Sequence, residues 1–198
     1  QIGRVLGWLD DHAELRDNTI VVFASDNGPV TEQWINWWEV NAYGSTAGLR
    51  GRKHFLYEGG LKVPAIVRYP EVLEAGIDSD ALITGTDWFS TIAAWTHTTL
   101  PTDRTIDGTD VGPSLNGNTL ADRDLLWALP SDSPLEYAFR RGDWKLMFNA
   151  ARQPQELYNL RKDPLELFNL FDPAHEQVQS MTAAFTLAIQ DINRDTQR

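Results

Sequence analysis

The chain contains no cysteine in its 198 residues, which excludes disulfides and thiolate chemistry while leaving the cellular compartment open. Long apolar runs are also missing. None approaches the roughly 18 residues that a bilayer-spanning helix needs, and no charged-then-apolar segment opens the chain as a secretory signal does. Basic residues are in deficit, with 17 Lys+Arg against 28 Asp+Glu and a formal net charge of -11. A field of that sign repels nucleic acid and anionic membrane, so neither is expected as a partner. Any anionic ligand must be held by a local cluster that overcomes the background. Internal repeats and low-complexity segments are absent. So is an initiator methionine: Gln1-Ile2-Gly3-Arg4 runs into a helical pattern with no capping residue, and an internal fragment is expected.

What is present suffices for a packed core, since 42% of residues are hydrophobic and eight are Trp. Ile2, Val5, Leu6, Leu9 and Ala13 recur at helical spacing, so one amphipathic helix is expected over 2–15, with Asp10 and Asp11 on its wet side. The β-branched and aromatic run Thr19 to Ala24 predicts a central strand covered on both faces. It stops at Ser25-Asp26-Asn27-Gly28-Pro29. In an α/β sheet, ligands gather beyond the carboxyl ends of strands, and an acid beside an amide there suits a hard divalent cation. A turn in which Asp26 and Asn27 bond their own backbone is the alternative. Trp34, Trp37 and Trp38 fit one face of a short helix that either packs on the domain or walls a pocket.

The stretch Gly48 to Pro70, GLRGRKHFLYEGGLKVPAIVRYP, runs against the overall charge. Four of the five residues from Arg50 to His54 are cationic or can become so, which favours a local anion site. Gly59-Gly60 follows, and then Val63 to Val67 reads as a buried strand entered through Pro64.

Phe23-Ala24-Ser25-Asp26-Asn27-Gly28-Pro29, taken together with Gly51-Arg52-Lys53, Glu58-Gly59-Gly60 and Val63-Pro64, resembles the second half of the type I sulfatases, the arylsulfatase family. A lone SDNG is weak. Joined to GRK-x4-EGG-x2-VP in this order and at this distance, it is specific. One departure is Lys62, where the family usually carries Arg; the charge is kept and the planar fork lost.

The resemblance implies an alkaline-phosphatase-like α/β sheet domain, of which residues 1–104 would be the C-terminal portion. Residues 105–198 would form a small α+β subdomain of antiparallel sheet and terminal helix. It further implies Asp26 and Asn27 as ligands of one Ca²⁺, Lys53 as the catalytic lysine that contacts the sulfate, and His54 and Arg52 as weaker substrate contacts. Glu58-Gly59-Gly60 is expected to orient the loop, because a carboxylate there repels an anion. A sulfate-ester small molecule or glycan is the implied substrate, and a periplasmic or secreted parent follows by analogy. The family's nucleophile is a formylglycine made from the Cys or Ser of a C/S-x-P-x-R motif. No such motif occurs here, so the chain alone is expected to be inactive, and surface uncovered by the missing half to favour self-association. Two alternatives stand: a fragment of a phosphodiesterase or phosphonate hydrolase, or a non-catalytic anion-binding module.

Farther along, Asp87 to Trp95 reads as a helix capped by Asp87 with Trp88, Ile92 and Trp95 packed. His97 reads as a surface residue at its end. Turn signals crowd Leu100 to Gly117, and a subdomain boundary is placed near Thr105. Glu136 to Arg140 and Trp144 to Phe148 flank Arg141-Gly142-Asp143 as a hairpin, which explains that tripeptide without any adhesion role. Gln155 to Leu160 and Asp163 to Leu170 resemble C-terminal segments of the same family, and the resemblance implies an edge strand and a turn there. Val178, Met181, Phe185, Ala188, Ile189 and Ile192 mark one face of a terminal helix over 173–193.

Overall fold

A computed structural model of the chain describes residues 1–30, 44–129 and 134–195. In chain order the elements are α1 (Ile2–Asp10), α2 (Ala13–Arg16), β1 (Val21–Ala24), α3 (Glu58–Leu61), β2 (Ala65–Arg68), α4 (Asp87–Trp95) and α5 (Gly112–Leu115). Then come β3 (Asp124–Ala128), β4 (Tyr137–Arg141), β5 (Trp144–Phe148), β6 (Pro154–Asn159) and α6 (Glu176–Asp195). The chain forms two compact units, Gln1–Phe23 with Ala65–Ala121 and Ala24–Pro64 with Asp122–Arg198. No helix among the described residues is long and apolar enough to cross a membrane. The expected helix around Trp34, Trp37 and Trp38 lies outside the described residues.

In the first unit three expectations are corrected. The helix expected over 2–15 breaks at Asp11-His12, where His12 takes φ -119° and ψ 84° and starts α2. The break is held locally: the His12 ring stacks on Trp8 at 3.9 Å and its Nδ1 lies 2.7 Å from the Trp8 carbonyl. Only Leu9 of α1 is buried, while Ile2, Val5 and Trp8 stand exposed. β1 and β2 pair as a two-stranded sheet and are not covered on both faces. Phe23 is 48% and Ile66 66% exposed, so an apolar strand composition reports a surface that can be covered, not one that is.

The third correction concerns α4. The helix exists as expected, but its buried side is Asp87, Ser90, Thr91 and Ala93, with Ile92 exposed. Asp87 sits inside the first turn and caps outward. One carboxylate oxygen accepts from the Thr84 N–H at 2.6 Å and the other from the Thr109 N–H at 3.0 Å. Ser90 Oγ donates to the Gly108 carbonyl at 2.9 Å, and Thr91 Oγ1 accepts from the Val111 N–H at 3.0 Å. A non-repetitive segment, 108–111, has backbone groups that need partners, and polar side chains supply them where apolar ones cannot.

The second unit is built on a four-stranded antiparallel sheet of order β3-β4-β5-β6. The hairpin is as expected: Arg141 pairs with Trp144, leaving Gly142-Asp143 as a two-residue turn, and Gly142 takes φ +54°. Arg141 reaches back to Asp124 with Nε and Nη2 both at 2.6 Å, so the tripeptide is structural. β3 was not anticipated. β6 lies at an edge, as expected, with an irregularity at Met147/Phe148.

Both faces of this sheet are covered. Phe139, Leu146, Phe148 and Leu157 pack against Val178, Met181, Phe185 and Ile189 of α6, while Ile192 is exposed. Phe185 anchors that side, stacked on Phe148 at 3.9 Å and edge-on to Tyr137 and Phe139 at 5.6 and 6.3 Å. On the other face Ala138, Met147 and Tyr158 meet Leu56, Tyr57, Leu135 and Leu160. The segment between the basic turn and α3 thereby becomes part of the sheet's core. Truncating Phe185 to Ala is expected to cost about 3–5 kcal/mol in urea unfolding. Leu187→Ala, on the exposed side of α6, is expected to stay within about 0.5 kcal/mol.

Candidate functional site

The two motif loops lie in the same compact unit and are tied together through their backbones. β1 ends at Ala24, and the next turn is closed by Ser25 Oγ donating to the Asn27 carbonyl at 2.9 Å. Asn27 Nδ2 donates to the Gly28 carbonyl at 2.9 Å. The local turn chemistry weighed from the sequence is thus present at Asn27, and its amide oxygen is the donor left for a cation. Asp26 is exposed and Asn27 half-buried.

Gly28 N–H then donates to the Gly60 carbonyl, and Lys53 N–H to the Pro29 carbonyl, each at 2.9 Å. These two bonds bring the Asp26-Asn27 turn and the Lys53 turn side by side. The contact is close enough to demand glycine: a Cβ on Gly28 would run into the Gly59 carbonyl, and one on Gly59 into the carbonyls of Leu49, Arg50 and Gly51. Gly59 N–H donates to the Arg50 carbonyl at 2.7 Å. Lys53 is half-buried at the head of this knot, while Arg52 and His54 are exposed. His54 takes φ +75°, a left-handed conformation that turns the chain after Lys53.

Glu58, expected to orient the loop, is held by groups the sequence reading did not connect to it. Its Oε1 accepts from Lys145 Nζ at 3.0 Å, and Arg140 Nη1 lies 3.6 Å from Oε2. Lys145 is fully buried in β5 and also lies 2.9 Å from Glu166 Oε1, an ionic contact without hydrogen-bond alignment. Glu166 Oε2 accepts from the Glu58 N–H at 2.7 Å. Burial pushes the Glu166 carboxyl up from its ordinary value, against the opposing pull of Lys145 and the Glu58 amide.

A second cluster gathers around Arg50. Its guanidinium stacks on the Tyr57 ring at 3.9 Å, and Nη1 donates to Tyr158 Oη at 2.7 Å and to the Glu166 carbonyl at 2.8 Å. Tyr57 and Tyr158 both donate to Glu156 Oε2, at 2.9 and 2.7 Å. Burial, reinforced by these bonds to a carboxylate, raises both phenols well above their ordinary value. A cue to the first cluster lies in Trp144-Lys145-Leu146-Met147-Phe148: a lysine inside a continuous apolar strand needs a buried counter-charge.

Comparison with known proteins places the chain in a family. The sulfatase family model matches residues 1–98, and the model for the C-terminal region of N-sulphoglucosamine sulphohydrolase matches residues 51–194. The chain belongs to the sulfatase family. Human steryl-sulfatase is 36% identical over 118 residues, covering 60% of the chain and 20% of that protein. The N-acetylglucosamine-6-O-sulfatase of Bacteroides thetaiotaomicron is 32% identical over 183 residues, covering 87% and 30%. A structure solved in complex with its substrate D-glucosamine-2-N,6-O-disulfate has TM-score 0.68 and 27% identity, covering all of the chain and 38% of the other. The fold is accordingly the alkaline-phosphatase-like α/β fold of the sulfatases. The chain spans about a fifth to a third of the length of these curated sulfatases.

Sulfatases bind a divalent metal. Asp26 and Asn27 present a carboxylate and an amide oxygen, the hard donors such a cation takes. No group of three or more His, Asp or Glu residues that could hold a metal occurs among the described residues. The buried phenols give a direct check. A phenol held protonated by the fold contributes stability that is complete below the unfolded value near 10 and is lost as pH rises from there through the raised folded value. Absorbance at 295 nm is expected to show Tyr57 and Tyr158 ionising only with alkaline unfolding, and Glu156→Gln to bring that transition to a different pH.

Proposed function

We propose that this chain is part of a sulfatase that hydrolyses the sulfate ester of a small molecule or glycan, and that it contributes one wall of the sulfate pocket. The observation that carries this reading is the backbone knot, in which Lys53 N–H bonds Pro29 and Gly28 N–H bonds Gly60. It sets the one candidate cation among half-buried residues of the basic loop beside the two candidate metal ligands. The sulfated sugar bound by the structural neighbour favours a sulfated glycan over other esters.

In this reading Asp26 and Asn27 would hold Ca²⁺ as two of the six to eight oxygens it takes. Such a cation, when bound, supplies positive charge that neutralises sulfate oxygens. Lys53 contacts the sulfate and holds a proton donor near the bridging oxygen, where charge develops as the ester bond breaks. Arg52 and His54 flank it as weaker substrate contacts. The nucleophile, a formylglycine, and the remaining metal ligands come from sequence outside these residues, since no C/S-x-P-x-R occurs here. The lone chain is therefore inactive and binds Ca²⁺ weakly.

Titration of the ¹⁵N-labelled chain with sodium sulfate is expected to shift the Lys53 and His54 amides, with a matched chloride titration as control. Lys53→Ala is expected to weaken that response about tenfold, the loss of one charge-assisted contact. Equal sulfate and chloride responses would remove the anion site. Turnover of an aryl sulfate by the chain, purified free of other sulfatases, would contradict the absence of a nucleophile.

A further inference from the structure

We infer that Lys145 and Glu166, side chains of the antiparallel-sheet region, are positioning residues that set the spacing of the two motif loops. The inference rests on the assignment of Asp26, Asn27 and Lys53 to one pocket. It concerns groups that touch neither metal nor sulfate in that assignment.

The geometry forms a continuous chain of contacts within one compact unit. Lys145 Nζ lies between Glu58 Oε1 at 3.0 Å and Glu166 Oε1 at 2.9 Å. Glu166 Oε2 fixes the Glu58 N–H at 2.7 Å, so side chain and backbone of Glu58 are both gripped at the first residue of α3. That short helix carries Gly60, whose carbonyl receives Gly28 N–H. The Gly28-Pro29 backbone then receives Lys53 N–H. Glu166 is fully buried in a left-handed conformation, φ +55°, and its carbonyl takes Arg50 Nη1 at 2.8 Å. One residue thus grips both ends of the 50–58 segment, through its carboxylate at Glu58 and its carbonyl at Arg50.

The two backbone hydrogen bonds that end this series, Gly28 N–H to Gly60 and Lys53 N–H to Pro29, have little tolerance, because no side chain intervenes to adapt: a displaced Glu58 moves Gly60, and Gly60 moves Gly28. Sheet packing alone would not supply this, because Leu56 and Tyr57 hold the segment to the sheet without fixing the peptide plane at Glu58. Removing the Lys145 cation leaves two buried carboxylates facing each other, and the strain is released by moving the more mobile partner.

Amide hydrogen exchange of the 198-residue chain, followed by NMR, reads this without metal or anion. Lys145→Met is expected to speed exchange at Gly28, Lys53 and Gly59 by about tenfold or more, and Lys145→Arg to restore it substantially. Glu166→Gln, a milder change that keeps an acceptor for Glu58 N–H, is expected to give an intermediate increase and guards against loss of folding in Lys145→Met. Met181→Ala, in the α6 core, matches a global destabilisation and is expected to leave these three amides no faster than their neighbours. Uniform acceleration across the unit in Lys145→Met and Glu166→Gln alike, or unchanged exchange at Gly28 and Lys53, would overturn the inference. Because sulfate is absent from the measurement, a chain that fails to bind sulfate still reports on the positioning.

Discussion

Burying Lys145 is the constraint around which the second unit is arranged. A lysine ammonium with no solvent exposure is tolerated only with counter-charges in contact, and Glu58 and Glu166 supply them from positions 87 residues before and 21 after it. The cost of desolvating these ions is large, and an apolar replacement of the whole set would serve stability as well. What an apolar replacement cannot do is fix the Glu58 peptide N–H at a set point, which the Glu166 carboxylate does. The ion cluster is therefore better understood as a geometric device than as a source of stability.

The same cluster explains why the sheet is covered on both faces. α6 covers one side with Val178, Met181, Phe185 and Ile189, a routine amphipathic contact. The other side carries Lys145 and Met147 in alternation, and only a segment bringing its own carboxylate can cover it. Leu56, Tyr57 and Glu58 provide apolar surface and charge in three consecutive residues. Arg50 and Glu156 extend that pattern, with two buried phenols sharing one carboxylate oxygen.

How much of this could be read beforehand depends on sequence distance. The hairpin of β4 and β5, the edge position of β6, the terminal helix and the pairing of the SDNGP and GRK segments were legible, because each is written in local spacing or in a motif. Lys145 as the partner of Glu58 was not, since nothing local in Glu58-Gly59-Gly60 states where its charge is balanced. The α4 face was misread for a related reason: Trp88 and Ile92 look like core, but burial there follows the hydrogen-bonding needs of 108–111, which hydrophobic periodicity does not encode.

Charge balance connects these features to the proposed chemistry. In a chain of net charge -11, a carboxylate five residues from Lys53 repels an anion, which is why Glu58 was expected to orient the loop. Its neutralisation changes that. Glu58 faces Lys145 and Arg140, and Glu166 faces Lys145, so the acids of this cluster are matched by bases in contact with them. In the proposed pocket, the attraction of Lys53 for a sulfate would then compete chiefly with the charge of the rest of the chain, which salt screens beyond about 8–10 Å. A buried glutamate can thus sit close to the proposed anion pocket because the sheet beneath it carries the compensating charge.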